Sequence, residues 1–178
     1  MAGIFTDLRV GIRKGALEAL KEFPTAPVIF SHESGPEPSV SYLVVNILQE
    51  EQVGKGYTST LVNEDSELTI QANYNVYVQF SFIGSLSGDM AHSFTQRLNN
   101  VLVREELFKY GLGLRTKTNI RRAPQKRDTK WVEYHNMDVV FTYAVNTQQI
   151  VDVVEAVVIV DELTGEVFTV PPDFIITP

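Results

Sequence analysis

The chain predicts an α+β fold, a mainly antiparallel β-sheet with two helices packed on one face, plus a C-terminal β-hairpin. Three observations lead there. Apolar residues recur at three- and four-residue steps over Ile4–Phe23 and again from Ser87 to about Tyr110, the spacing of amphipathic helices. Strict period-two alternation runs over Leu68–Ile83, the mark of a strand with one buried face. Helix-like and strand-like segments come as helix, strands, helix, strands, which separates α+β from a doubly wound sheet.

The first helix presents Phe5, Leu8, Ile12, Ala16, Leu20 and Phe23 on one side, with Arg9, Arg13, Lys14, Glu18 and Lys21 toward water. Gly11 and Gly15 each weaken it by ~1 kcal/mol relative to Ala, so it must lean on tertiary packing. Pro24 and Pro27 end it, Val28–Phe30 reads as a short strand, and 34–38 (SGPEP) is a turn-rich loop. Val40–Leu48 is nearly continuous in apolar and β-branched residues and is expected to be a strand covered on both faces. The polar stretch from Gln49 to Ser66, with Gly54-Lys55-Gly56, is expected to be a long loop.

In Leu68–Ile83 the even positions, including Val76, Val78, Phe80 and Phe82, form the buried row. Ser87 and Asp89 are placed to cap the second helix, whose inner face is Met90, Phe94, Leu98, Val101 and Leu102. Gly111-Leu112-Gly113 suits its C-terminal stop. Leu114–Ile120 then reads as a strand entering a basic loop. Trp131–Val145 alternates again with Trp131, Met137, Val139, Phe141, Tyr143 and Val145 on one side, and its start, with Glu133 and His135, is expected to project beyond the core. Ile150–Val160 and Val167–Val170 flank 161–166 (DELTGE) as a hairpin. No linker or repeat divides the chain, so 1–170 is expected to be one domain and 171–178 (PPDFIITP) an extended tail that cannot be helical.

The 178 residues carry a net −7, and that charge is segregated. Arg115, Lys117, Arg121, Arg122, Lys126, Arg127 and Lys130 face only Asp128, a local +6, and no Lys or Arg follows Lys130. The acidic end includes Asp152, Glu155, Asp161, Glu162 and Glu166. A basic patch in an acidic protein is solvated, meets phosphates, or meets an acidic surface on a neighbouring copy. Trp131, beside the patch, suits core, interface or base stacking.

Little points to catalysis, and the chain is read as a non-enzyme. Zero cysteines remove disulfides, thiolate metal sites and Cys nucleophiles, and His32, His92 and His135 stand in no metal-ligand spacing. Phosphate-loop, dinucleotide and nucleophile-elbow motifs do not occur. Alternation puts His135 on the opposite face of its strand from Tyr134 and Asp138, which breaks the one possible proton relay. No catalytic, cofactor or metal residues are therefore assigned. No apolar run approaches the ~20 residues of a membrane span and no signal pattern opens the chain, so a soluble intracellular product is expected, with no membrane partner.

The whole pattern resembles one family. ALEALKEF, then VIFSHESGPEPSVSYLVVNIL with its Pro36-Glu37-Pro38 loop and Tyr42–Ile47 strand, then the long alternating strand, the second helix, Trp131-Val132-Glu133-Tyr134-His135-Asn136-Met137-Asp138-Val139, and Val154-Glu155-Ala156-Val157-Val158-Ile159 follow the layout of tailed-bacteriophage tail-terminator, or neck terminator, proteins. The resemblance implies a structural virion protein of the tail and neck, assembled in the host cytoplasm. It would form a homo-oligomeric ring, a hexamer, that caps the tail tube, stops its polymerisation and joins it to the head. Its partners would be the tail tube protein, a head-completion or neck protein, and the sheath protein of a contractile tail. DNA would pass through the lumen without specific binding.

In such a ring the 115–130 basic residues with Trp131 are expected to meet Asp152, Glu155, Asp161, Glu162 and Glu166 of a neighbour. Two other readings stay open. One is another head-to-tail joining or tail-completion protein. The second is a small nucleic-acid-binding module using the 115–130 basic loop, against which the acidic pI stands.

Overall fold

The computed structural model describes residues 4–62, 67–150, 157–160 and 167–170; at 4–6, 57–62, 67–68, 149–150, 157–160 and 167–170 it describes the backbone alone. The chain divides into two compact units, Met1–Gly56 with Ala72–Val145, and Tyr57–Gln71 with Asn146–Pro178.

Its elements are α1 (Ile4–Ala19), β1 (Val28–Phe30), β2 (Tyr42–Val62), β3 (Glu67–Ile83), α2 (Ser87–Arg97), α3 (Val101–Phe108), β4 (Gly113–Lys117), β5 (Arg121–Arg122), β6 (Gln125–Arg127), β7 (Lys130–Val132), β8 (Tyr134–Ile150), β9 (Val157–Val160) and β10 (Val167–Val170). The main sheet runs β1-β2-β3-β8-β4, and β5 also pairs with β8. β1 joins β2 in parallel, whereas β4 and β5 pair with β8 antiparallel. β9 and β10 form an antiparallel pair with Val160 opposite Val167. Mainly antiparallel pairing with helices on one sheet face is the α+β arrangement expected from the sequence.

One core joins the helices to that face. Leu8, Ile12 and Leu20 from the first helix segment, Met90 and Phe94 from α2, and Val103 and Leu107 from α3 pack on Val76, Val78, Phe80 and Phe82 of β3 and on Met137, Val139 and Phe141 of β8. From Val76 to Phe82 the period-two alternation in β3 holds, with all four of those even positions at 1% exposure or less, whereas Asn75 and Ile83 are buried on the other face. Phe94 stands between Phe80 and Phe82, at centroid distances of 4.9 and 5.3 Å. β2 is covered on both faces at its start: Leu43 and Val45 enter this core, while Tyr42 joins Ile83 and Tyr134 in a second cluster on the reverse face.

Several expectations need correction. The first helix ends at Ala19 rather than Phe23, although Leu20 stays buried and Phe23 packs against the core. The stretch from Gln49 is not a loop, because β2 continues to Val62; Tyr77 Oη donates to Glu51 at 2.9 Å from the neighbouring strand. Polar composition misled there, since a strand with an uncovered face needs few apolar residues. The end of that stretch, 63–66, lies outside the described residues.

The second helix is two. α2 stops before Asn100, whose side chain caps α3 by accepting from Leu102 N at 3.0 Å. This break resets the helical phase, so Val103 and Leu107 are buried while Val101 and Leu102 face outward. Replacing Asn100 by Ala is expected to cost about 0.5–2 kcal/mol in chemical denaturation, the usual range for a lost cap. Ser87 is not a cap either: Leu86 occupies that position, its N–H donating to Ser41 Oγ, and Ser87 Oγ lies 3.0 Å from His135 Nδ1. His135 therefore sits against α2 and does not project. At the other end of this helical pair the expected stop holds. Gly111 adopts φ 69°, and Leu112 N reaches back to Leu107 O at 3.1 Å.

Two further corrections concern 114–145. Trp131–Val145 is not one strand, since β7 and β8 are separated at Glu133. The basic loop is not a loop. β6 and β7 close a hairpin across Asp128-Thr129, with Asp128 at φ 51°, a left-handed conformation that Asp tolerates better than most residues.

Candidate functional site

Cross-strand pairing decides what the basic hairpin shows to its surroundings. Opposed residues of an antiparallel pair share a face, and successive pairs alternate faces. Arg127↔Lys130 and Gln125↔Val132 therefore lie on one side, and Lys126↔Trp131 on the other. The first side is turned inward. Val132 packs against the reverse-face cluster of Tyr42, Ile83 and Tyr134, and the Arg127 guanidinium sits 5.4 Å from the Tyr134 ring centroid while pairing with Glu37. Tyr42 Oη donates to the same Glu37 carboxylate at 2.6 Å. One carboxylate in the Pro36-Glu37-Pro38 loop thus ties the hairpin to β2.

Most of the basic residues already have partners within the chain. Arg121 pairs with Asp138 at 2.5 Å, and Arg122 grips Glu133 with two nitrogens at 2.6 and 2.9 Å. Arg115 donates to the buried Asn75 at 2.8 Å, and Lys117 donates to the Thr95 carbonyl oxygen. Among the described residues no ion pair is made to Lys126 or Lys130. Trp131 is 70% exposed. The thirteen residues singled out in the sequence are thus sorted: five basic ones are engaged locally, Lys126 and Trp131 are presented outward, and Lys130, opposite Arg127, is exposed at the hairpin's end. Asp152, Glu155, Asp161, Glu162 and Glu166 lie outside the described residues.

Beside the hairpin the reverse sheet face forms a groove of about 490 Å3. Pro36 and Pro38 stand on one wall, Gln125 and Arg127 on the other, and Tyr42, Val44, Ile83 and Tyr134 contribute to its lining. Tyr134 is 5% exposed, and its hydroxyl has no hydrogen-bond partner among the described residues. Sequence reasoning missed this groove and its Glu37 tie. The only available signal was the proline-flanked Glu37 itself, which reads as a plain surface loop.

The local ion pairs set an acid response. Glu33, Glu37 and Glu133 are all held below the ordinary 4.5: Glu33 first by the Phe30 N–H, Glu37 first by the Tyr42 hydroxyl, and Glu133 first by Arg122. A carboxyl whose folded pKa is depressed adds stability above its unfolded pKa, and that stability is lost as pH falls through the folded value. The urea midpoint is therefore expected to be flat above about pH 6 and to drop between about pH 5 and pH 3. Glu37→Gln should show a smaller drop. An equal drop in that variant would mean that Glu37 is not coupled to folding.

A family model described as phage neck terminator protein matches residues 8–166. Among solved structures, a chain of the virion of a native gene transfer agent particle is similar at 13% identity and a TM-score of 0.29, over 81% of this chain and 92% of that one. No curated protein sequence matches. The chain belongs to the phage neck terminator family, and it is a structural protein of the phage neck.

Proposed function

We propose that this neck terminator forms a ring of identical copies, a hexamer as the family resemblance implies, that caps the tail tube, stops its polymerisation and joins it to the head. The match to the neck terminator family over 8–166 is the observation that carries this reading. Tube, head-completion and sheath proteins are the partners it would meet, in particles assembled in the host cytoplasm.

A closed ring needs heterologous contacts, in which one patch meets a different patch on the next copy. The outward Lys126–Trp131 pair supplies one patch. The acidic residues 152–166, with no Lys or Arg anywhere after position 130, supply a complementary one. Arg121 and Arg122 are poor reporters of this contact, because their own carboxylates already neutralise them. Reversing either would place a Glu beside Asp138 or Glu133 and disturb the fold first.

That engagement also favours a protein partner over DNA. Phosphate binding draws on free cations, and three of the five Arg and Lys residues at 121–130 are spent on carboxylates. The net acidity suits a lumen that lets DNA pass without holding it.

The test is a tail-length count by electron microscopy in a phage lacking this gene. Overlong, headless tubes are expected. Normal-length tails without heads would point instead to another head-to-tail joining protein, and normal tails joined to heads would remove the neck role altogether.

A further inference from the structure

We infer that Phe108 of a second copy seats in the apolar cavity between the end of α1 and the start of α2. This head-to-tail contact rests on the self-association proposed above and gives it an apolar anchor away from the hairpin.

The cavity suits a single ring. It holds about 240 Å3, and a dry cavity of about 150 Å3 already takes up benzene. Phe23, Ala26, Val40, Leu86 and Met90 supply its apolar lining, and its remaining lining residues are Thr25, Ser41 and Ser85. No charged side chain of the lining is therefore desolvated when an aromatic enters. Ser41 Oγ is already engaged, accepting from Leu86 N at 3.1 Å. Met90 is fully buried, and its thioether adapts to an aromatic edge. Val40 and Leu86 are half exposed, so an occupant would cover apolar surface that water now meets.

The chain displays such a ring elsewhere. Phe108, the last residue of α3, is 80% exposed, more than any other large apolar residue described. Val103 and Leu107 take the core face of α3, which leaves Val101, Arg104, Glu105 and Phe108 as its outward stripe. Leu107 packs beside Gly15 within α1, whereas the cavity begins at Phe23, beyond the helix end. Ring and cavity are therefore different patches of one surface, the condition for a heterologous contact that repeats from copy to copy.

Charge sets the register. Arg104 stands one turn before Phe108, and Asp89 one turn after Leu86. Both are exposed, and among the described residues neither makes an ion pair. The charges beside them are spent: Glu105 and Glu106 both act on Lys109, and Glu22 holds Arg97. With Phe108 between Leu86 and Met90, the equal one-turn spacing brings Arg104 to Asp89 in the same docking.

The experiment uses the full chain, which has no native cysteine. Copies with Arg104→Cys are mixed with copies with Asp89→Cys, in concentrated protein and again with purified tail tubes. A short bismaleimide then joins cysteines that lie together, and tube capping is scored in the same samples. Links between the two kinds of copy are expected, at least about tenfold above either kind alone. Phe108→Ala in the Arg104→Cys copies should lower them at least about tenfold, the loss of an interface hot spot. Because Phe108 is exposed, that change should leave the urea midpoint of dilute protein unchanged. Sedimentation velocity reads the charge pair. Arg104→Glu or Asp89→Lys alone should weaken self-association about fivefold, and the two together should restore it. No links in either sample, links indifferent to Phe108→Ala, or a double variant no better than the singles each overturn the inference. If capping persists in any of those cases, the terminator reading stands and only this contact fails. Links without capping would support the contact and remove the terminator reading.

Discussion

Replacing Gly11 and Gly15 together by alanine is expected to destabilise the protein by roughly 2–6 kcal/mol, about 1–3 at each site. Helix propensity alone argues the reverse, since each Gly→Ala change inside a helix gains about 1 kcal/mol. Packing decides the sign. A Cβ on Gly15 would stand 2.5 Å from Leu107 Cδ2 and 2.9 Å from its Cγ, and Leu107 is 1% exposed and cannot swing away. One on Gly11 would stand 2.7 Å from Tyr110 Cβ and 2.8 Å from Leu112 Cδ1. The two glycines lie one turn apart on α1 and let α3 and the residues after it approach. Their removal pushes the helices apart over the whole contact. Chemical denaturation of the single and double variants measures the effect. A double variant more stable than the parent would show that the α1–α3 contact is looser than these distances.

This pair also shows how far the sequence was legible. Two glycines in an amphipathic helix could be read as a weakness requiring tertiary support, which is correct, but not as the reason for it. Close approach is a property of two elements, and only one of them carries the glycine. Where a signal lies within a single element, the sequence was sufficient. The alternation of Val76, Val78, Phe80 and Phe82 placed the core face of β3, and Gly111 marked the end of α3. The helix break at Asn100 was missed because Leu98, Val101 and Leu102 continue an apolar pattern across it. A cap costs nothing in periodicity, so the phase reset is invisible until Val103 and Leu107 are seen buried.

The site was legible in composition and not in arrangement. Seven basic residues within sixteen positions announced a patch, yet a run of charge does not say which members are neutralised. Three of the carboxylates that pair with it, Glu37, Glu133 and Asp138, come from a remote loop and from the chain just after the patch. Once these pairs and the hydrogen-bonded Arg115 and Lys117 are set aside, Lys126 and Lys130 are left, and only Lys126 shares the outward face of the hairpin with Trp131. Pairing register, rather than charge density, selects its members.

That surface carries the second large effect. Trp131→Ala is expected to weaken self-association by at least about 30-fold per contact, corresponding to the 2 kcal/mol or more typical of a buried interface tryptophan. Lys126→Glu should weaken it further by turning attraction toward an acidic neighbour into repulsion. The two side chains sit opposite each other on β6 and β7, so their effects should not add. Folding should be nearly untouched. Trp131 is 70% exposed, and the inward anchors of the hairpin, Val132 and the Arg127–Glu37 pair, remain in both variants. Sedimentation velocity against protein concentration, repeated at two salt concentrations, reads the association directly. Loss of assembly with an unchanged urea midpoint would place the interface at the hairpin. Full-strength assembly by Trp131→Ala would rule the hairpin out as a subunit contact. A salt dependence that Lys126→Glu does not alter would show that charge pairing across copies runs through other residues.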